Sequence, residues 1–330
     1  MRILVIRRGA IGDTIVTLPT LGILRENYPD AYTEVIGNRE YWEIAHNRYY
    51  VNAVSGGETG LTNDLYSRDG RPSNEIIDYF SSFDLIIAYI SDPDGIIKEN
   101  LKRIRAKRTI IYPPFPKGDD LHAADYTALV LREMGFAVNP PLFPKVYLSR
   151  EDRDFASQFL SPFMGYQPLV TIHPRTFGTK GWAIEKFINI GRWIEGSLNG
   201  KSIWIMGPAE EENIKLIKSN FPSSPFLNLY SIPKVAAVLS FSHLYLGCDT
   251  GISHLAAAAG ARVLALFGPT NPQVWCPRGE RVWIIKAGEM FKIQEEEVKD
   301  VILKYNTNND IEEYKVLPYI GFESREGTVS

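Results

Sequence analysis

Residues 247–260 read GCDTGISHLAAAAG, which sets Asp249, Thr250, Gly251 and His254 within six positions, just ahead of four consecutive alanines. At a helix start the first backbone N–H groups have no partner in the helix and together carry about half a positive charge. A threonine and a glycine at that entrance let an anion come close. A histidine one turn further in faces back toward the same place. The pattern suits a diphosphate site. Asp249 as a plain helix cap and His254 as a core histidine would account for the same residues taken singly.

Two other loops carry comparable chemistry. HPRTFGTKGW, 173–182, follows the apolar run LVTI and precedes a helical pattern. Two threonines (Thr176 among them), Arg175, Lys180 and two glycines at a helix entrance are the parts of a phosphate cradle, and a polar surface loop with a chance lysine would account for them equally. The spacing is not that of a Walker A loop, GxxxxGK[ST]. RRGAIGDT, 7–14, follows the first apolar run. Its two glycines, Gly9 and Gly12, do not make the GxGxxG of a dinucleotide site, so a nicotinamide oxidoreductase loses its main support. Gly12 is expected to permit the tight turn, with Asp13 in the first turn of the helix, where an acid complements the dipole by up to about 1 kcal/mol. Pro19, inside the same helical pattern, is expected to kink it. The DxD within SDPDG, 91–95, is read as a turn built on proline and glycine rather than as a metal site.

The elements that position these loops alternate. Strands are expected at 3–6, 33–36, 52–55, 85–90 and 109–112, then at 169–172, 202–206, 243–247, 262–267 and 281–285. Helical patterns occupy 121–135, 151–160, 183–195, 209–219 and 252–259. Nearly continuous apolar strands suit sheets covered on both faces, and strand–helix alternation means parallel sheets. The proline-rich GFAVNPPLFPKVYLSRED divides the chain into a first domain, 1–148, and a second, 149–304, followed by a polar tail, 305–330. Ligands of such open sheets bind at the carboxyl ends of the strands, so a cleft between the domains is the expected site.

Composition narrows the partners. With 36 basic and 39 acidic residues the net charge is −3, and a general nucleic-acid binder is not indicated. One stretch departs from this balance: KENLKRIRAKR, 98–108, holds six basic residues and one acid. It suits a solvated helix end, or else attraction to an anionic membrane surface or acidic acceptor. Cys248 and Cys276 form no CxxC pair, so no zinc or redox motif is present. The short N-terminal apolar run is broken by Arg7 and Arg8, unlike a signal peptide, and a cytoplasmic location is expected.

With these loops in view, the sequence resembles glycosyltransferase family 9, the lipopolysaccharide heptosyltransferases, over residues 1–303. The opening RILVIRRGAIGDTIVTLPTLGILRENYPDA looks like the family's N-terminal signature, and GCDTGISHLAAAAGARVLALFGPTNP like its more specific C-terminal one. HPRTFGTKGW is similar to the donor loop between them, and GPAEEEN to the segment whose acid meets the donor ribose, with Glu210 as the match.

The resemblance implies a GT-B fold, with two Rossmann-like domains facing across a cleft, acceptor on the first and nucleotide sugar on the second. It implies inverting, metal-independent transfer with Asp13 as general base. Lys180, Thr176, Thr250 and the N–H groups at Gly251 would stabilise the departing diphosphate. Asp249 and His254 would hold the loop and contact the donor, and Gly12 and His122 would lie on the acceptor side. The implied donor is ADP-heptose with no further cofactor. The implied acceptor is lipid-linked or of the lipopolysaccharide type, reached from the cytoplasmic face of the inner membrane. A family 9 enzyme with another nucleotide sugar or acceptor, and a nucleotide-sugar-binding protein without activity, are the alternatives.

Overall fold

A computed structural model of the chain describes residues 1–56, 63–68, 72–207, 211–228 and 231–307. The first five strands are β1 (Arg2–Ile6), β2 (Tyr32–Gly37), β3 (Ala53–Gly56), β4 (Leu85–Tyr89) and β5 (Thr109–Tyr112). They pair in parallel in the order β3-β2-β1-β4-β5. The next six are β6 (Leu169–His173), β7 (Lys201–Met206), β8 (Phe226–Asn228), β9 (Leu244–Cys248), β10 (Val263–Phe267) and β11 (Val282–Lys286). They form a second parallel sheet, β11-β10-β9-β6-β7-β8. The ten expected strands are all present. The eleventh, β8, is a three-residue edge strand, too short to show any periodicity.

Helices α1 (Ile11–Asn27), α2 (Arg39–Trp42), α3 (Asn74–Ser81), α4 (Ile96–Arg103) and α5 (Ala123–Ala128) connect or flank the first sheet. The expected helix over 121–135 is split, with α5 tightening into a 3₁₀ turn over Leu129–Met134. The remaining helices are α6 (Arg150–Leu160), α7 (Ile184–Ser197), α8 (Glu211–Asn220), α9 (Ile232–Phe241), α10 (Gly251–Ala258), α11 (Pro272–Trp275) and α12 (Glu295–Thr307).

Sequence pattern explains why these layers form. The central strands β1, β4, β6 and β9 are buried along nearly their whole length, while the edge strands β3, β5 and β11 are half-exposed. Helix α1 buries residues on most of its circumference, from Ile15 and Val16 to Leu18, Thr20 and Leu21. It is therefore an internal helix, lying between its own sheet and α10. The small Ala256, Ala257 and Ala258 of α10 are all buried, so this helix also packs closely. One apolar cluster runs from Ile11, Ile15 and Leu18 of α1 to Ile252 and Leu255 of α10, joining the two sheets through a shared core. Each fully buried leucine or isoleucine there contributes roughly 1.5–3 kcal/mol. Helix α1 continues through Pro19 to Asn27 as one assigned helix.

Both sheets change direction of strand order at a central pair: β1 beside β4, and β6 beside β9. Such switch points open a crevice at the carboxyl ends of the strands. The three chemistry-bearing loops leave from β1, β6 and β9.

Candidate active site

Asp13 stands three residues into the entry of α1, held by two bonds. Its Oδ2 accepts the Ala10 N–H at 2.8 Å, and its Oδ1 accepts Arg7 Nη2 at 3.1 Å. Arg7 is buried with a side chain only 1% exposed. Its Nη1 donates to the Pro114 carbonyl at 2.7 Å, and its guanidinium lies 5.3 and 5.5 Å from the Tyr89 and Phe115 ring centres. Burial draws the Arg7 pKa below its ordinary value, and the Asp13 charge is the largest effect opposing it. A buried arginine of this kind needs its carboxylate, and in return it fixes where that carboxylate points.

The tight turn before α1 belongs to Gly9, not to Gly12 as the spacing suggests. Gly9 has φ +145°, and a Cβ there would come 2.5 Å from Asp13 Oδ2. Gly12 lies inside the first turn of the helix. It faces α10: a Cβ on it would lie in ordinary contact with the Gly251 Cα at 3.6 Å and His254 Cδ2 at 3.8 Å. Gly251 is tighter still. A Cβ there would overlap Ile11 Cγ2 at 2.0 Å and the Gly12 nitrogen at 2.7 Å. The starts of α1 and α10 therefore touch, glycine against glycine, and the N–H ends of both helices converge on one spot.

Around that spot the residues of the loops after β6 and β9 assemble. Because β6 and β9 are hydrogen-bonded neighbours, with His173 opposite Gly247, the loops after them lie side by side. Lys180 Nζ donates to Asp249 Oδ2 at 2.6 Å. The Asp249 side chain is 6% exposed and that of Lys180 38%, so the lysine keeps one side open to an incoming anion. Thr250 is the N-cap of α10 without a side-chain cap bond, and its hydroxyl lies 3.4 Å from His173 Nδ1. His254 is buried, hydrogen-bonded to the Trp275 backbone, and within electrostatic reach of Asp249, Asp13 and Lys180. Burial lowers its pKa, and Asp249, then Asp13, work against that shift.

The loop carrying Thr176 and Lys180 folds back on itself. Trp182 N–H donates to the Arg175 carbonyl at 2.9 Å, and Gly178 takes φ +70°. Thr176 Oγ1 accepts Asn213 Nδ2 of α8 at 2.9 Å. Glu210 lies outside the described residues.

His122 is used differently. It caps α5, with Nδ1 accepting the Ala124 N–H at 3.1 Å, and its Nε2 meets the Cys276 carbonyl at 2.8 Å. Burial, aided by Arg278, pushes its pKa down to about 4. With both ring nitrogens engaged, His122 ties α5 to the segment after α11 and offers no free nitrogen to an acceptor. In the SDPDG turn, Asp92 caps α4, accepting the N–H groups of Ile97 at 3.1 Å and Lys98 at 3.0 Å, while Asp94 pairs with Arg68 at 2.9 Å.

Residues 116–305 match the sequence profile of glycosyltransferase family 9 (heptosyltransferase). The chain belongs to glycosyltransferase family 9. Lipopolysaccharide heptosyltransferase 1 of Pseudomonas aeruginosa is 25% identical over 295 residues, covering 82% of this chain and 80% of that protein. Among solved structures, the family 9 glycosyltransferase of Veillonella parvula superposes with TM-score 0.73 at 18% identity, covering 92% of this chain and 96% of that one. The E. coli heptosyltransferase WaaC with ADP does so with TM-score 0.66 at 20% identity, covering 92% and 100%. The fold is GT-B, and the protein is a glycosyltransferase.

Several residues that hold these loops escape a reading of the sequence. Arg7 sits in a loop whose glycines draw the eye, and nothing local marks it as buried. Asn213 lies 37 positions from Thr176. Lys286, at the end of β11, donates to the carbonyls of Gly268 and Thr270, the latter at 3.0 Å, and feels the Asp249 charge. The signal for it was its place at a strand's carboxyl end.

Proposed function

We propose that this glycosyltransferase moves a heptosyl group from ADP-heptose onto a hydroxyl of a lipopolysaccharide core or related glycan, with inversion and without a metal ion. The observation that carries this reading is the contact between the two helix starts, which sets Asp13 on one side and the Lys180–Asp249 pair on the other. Asp13 takes the proton of the acceptor hydroxyl, and that oxygen attacks the anomeric carbon. The bond to the diphosphate breaks, and its electron pair leaves with the β-phosphate. Lys180, Thr250 and the N–H groups at Gly251 meet the charge that develops there, at about 1.5–3 kcal/mol per charge-assisted contact. Thr176 and Glu210 complete the donor side, and Asp249 and His254 hold the turn. The acceptor rests on the half within 1–148, beside Gly12, and the nucleotide sugar on the half within 149–304. The name of the Pseudomonas relative and the ADP in the WaaC structure support the choice of substrate.

Calorimetric titration with ADP and with UDP, before and after adding magnesium, tests the donor. Tight binding of ADP without metal is expected. Preference for UDP would move the donor elsewhere, and binding of neither would overturn the site. Asp13→Asn should leave ADP affinity nearly intact while turnover falls about 100-fold or more. Because the change also leaves buried Arg7 without its carboxylate, affinity and turnover are read on the folded fraction after a thermal melt; equal loss of both there would remove Asp13 from the role of base.

A further inference from the structure

The basic stretch 98–108 is not absorbed by the transfer reaction, and it lines a cavity. Between the end of α4 and the edge strand β5 lies a space of about 440 Å³, within the range of small-ligand sites. Its apolar lining includes Leu101, Ala106 and Ile111, and Lys98, Lys102 and Lys107 stand around them. Thr109 lines it too, and its buried Oγ1 has no hydrogen-bond partner among the described residues. Glu133 is the acid in the lining.

The charges around it point the same way. Lys102 pairs with Glu99 and Lys107 with Asp84, each at 2.7 Å, but these are exposed pairs that exchange easily with another anion. Among the described residues Lys98, Arg105 and Arg108 have no ion-pair partner. Arg105 also takes φ +59°, a left-handed conformation in which glycine would be unstrained. The conformation closes the end of α4, with the Arg105 N–H donating to the Lys102 carbonyl at 3.0 Å and the Ala106 N–H to the Leu101 carbonyl at 3.3 Å, and it leaves the exposed guanidinium beside the cavity rather than in its lining.

We propose that this cavity binds the phosphate-bearing headgroup of an anionic lipid, docking the enzyme on a membrane surface. Six basic residues in one short segment suit such a surface, and the apolar floor suits the glycerol and first methylenes next to the phosphate. No helix among the described residues is long and apolar enough to cross a membrane. The location also fits the reaction. Thr109, Ile110 and Ile111 of β5 line the cavity, and the chain continues from that strand to Pro114, whose carbonyl holds Arg7. A lipid-linked acceptor at the same membrane would meet the site from there. The docking site itself is independent of the donor and the base.

The test uses the full chain and sedimentation with vesicles of phosphatidylcholine alone or with 30% phosphatidylglycerol. The wild type is expected on the anionic vesicles only, and release by salt is expected. Replacing Lys98, Lys102 and Lys107 by alanine should weaken that binding at least about tenfold. Removing two lysines elsewhere, Lys218→Ala with Lys234→Ala, should leave it nearly unchanged. Arg105→Gly should raise the melting temperature yet weaken vesicle binding, a combination that misfolding cannot produce. Equal losses in the two lysine sets, or no preference for anionic vesicles, would overturn the proposal. So would saturable binding of inorganic phosphate, lost with the three lysines, in a protein that ignores vesicles; that result would assign the cavity to a soluble phosphate.

Discussion

At the scale of single residues, burial decides what each ionisable group can do. His122 and His173 are both pushed down to about 4, His122 chiefly by burial and then by Arg278, His173 by burial and then by Arg175. Each is therefore neutral in the folded protein at a pH where an unfolded histidine, at about 6.5, would be taking up a proton. The unfolded state binds more protons below that point. Stability is thus complete above about pH 6.5 and falls as pH drops toward 4, by up to about 3 kcal/mol for each histidine. Asparagine can replace His122 as a helix cap without titrating. His122→Asn should therefore show a shallower loss of urea stability between pH 7 and 4.5 than the wild type. An unchanged slope would mean that His122 titrates normally in the folded state. Arg7 makes the same point from the other side. Its neighbours in sequence give no hint of burial, yet it carries the positive charge that orients Asp13.

At the scale of elements, the site depends on two helices meeting end to end. Gly251 makes this contact possible, because any Cβ would strike Ile11 and the Gly12 backbone. Gly251→Ala should destabilise the fold by about 1–3 kcal/mol through overpacking, and should reduce turnover even where the protein remains folded. Gly196, in α7, has open space at its Cβ position and is the matched control. Gly196→Ala should be neutral or stabilising by up to about 1 kcal/mol. Thermal melts of both variants, with ADP titration of the folded fraction, check the pair. If Gly251→Ala melts with the wild type, the helix starts are not in the contact described. The alanine run after His254 now has its reason: a helix of small side chains can lie against both its own sheet and α1.

At the scale of the whole molecule, polar ties cross between the parts that carry the two sheets. Arg278 grips Asp125 of α5 through two bonds, at 2.6 and 2.7 Å, and His122 meets the Cys276 carbonyl beside it. Asp125 is buried and also accepts the Leu142 N–H at 2.8 Å. Arg278→Ala would leave that carboxylate buried beside a single N–H donor, at a cost of about 3–5 kcal/mol. Adding Asp125→Asn in the same chain should recover part of the loss; no recovery would mean that Arg278 acts through packing rather than charge. Much of this architecture is legible in the sequence. Apolar runs alternating with helical patterns bring out ten of the strands, most plainly the central β1, β4, β6 and β9, because a strand buried on both faces must be apolar throughout. Spacing alone also places Asp13 in the first turn of α1 and the DTGxxH residues at the start of α10, since a helix start is built from consecutive residues. What remained for the tertiary structure was everything set by contact between distant segments. Gly9 rather than Gly12 makes the turn, Arg7 is buried under Phe115, and Asp249 is paired with Lys180. His122 is committed to Cys276, and the two helix starts touch. Local pattern reports which way a side chain faces within its own element; which element lies opposite is decided by packing, and no spacing along one chain segment encodes it.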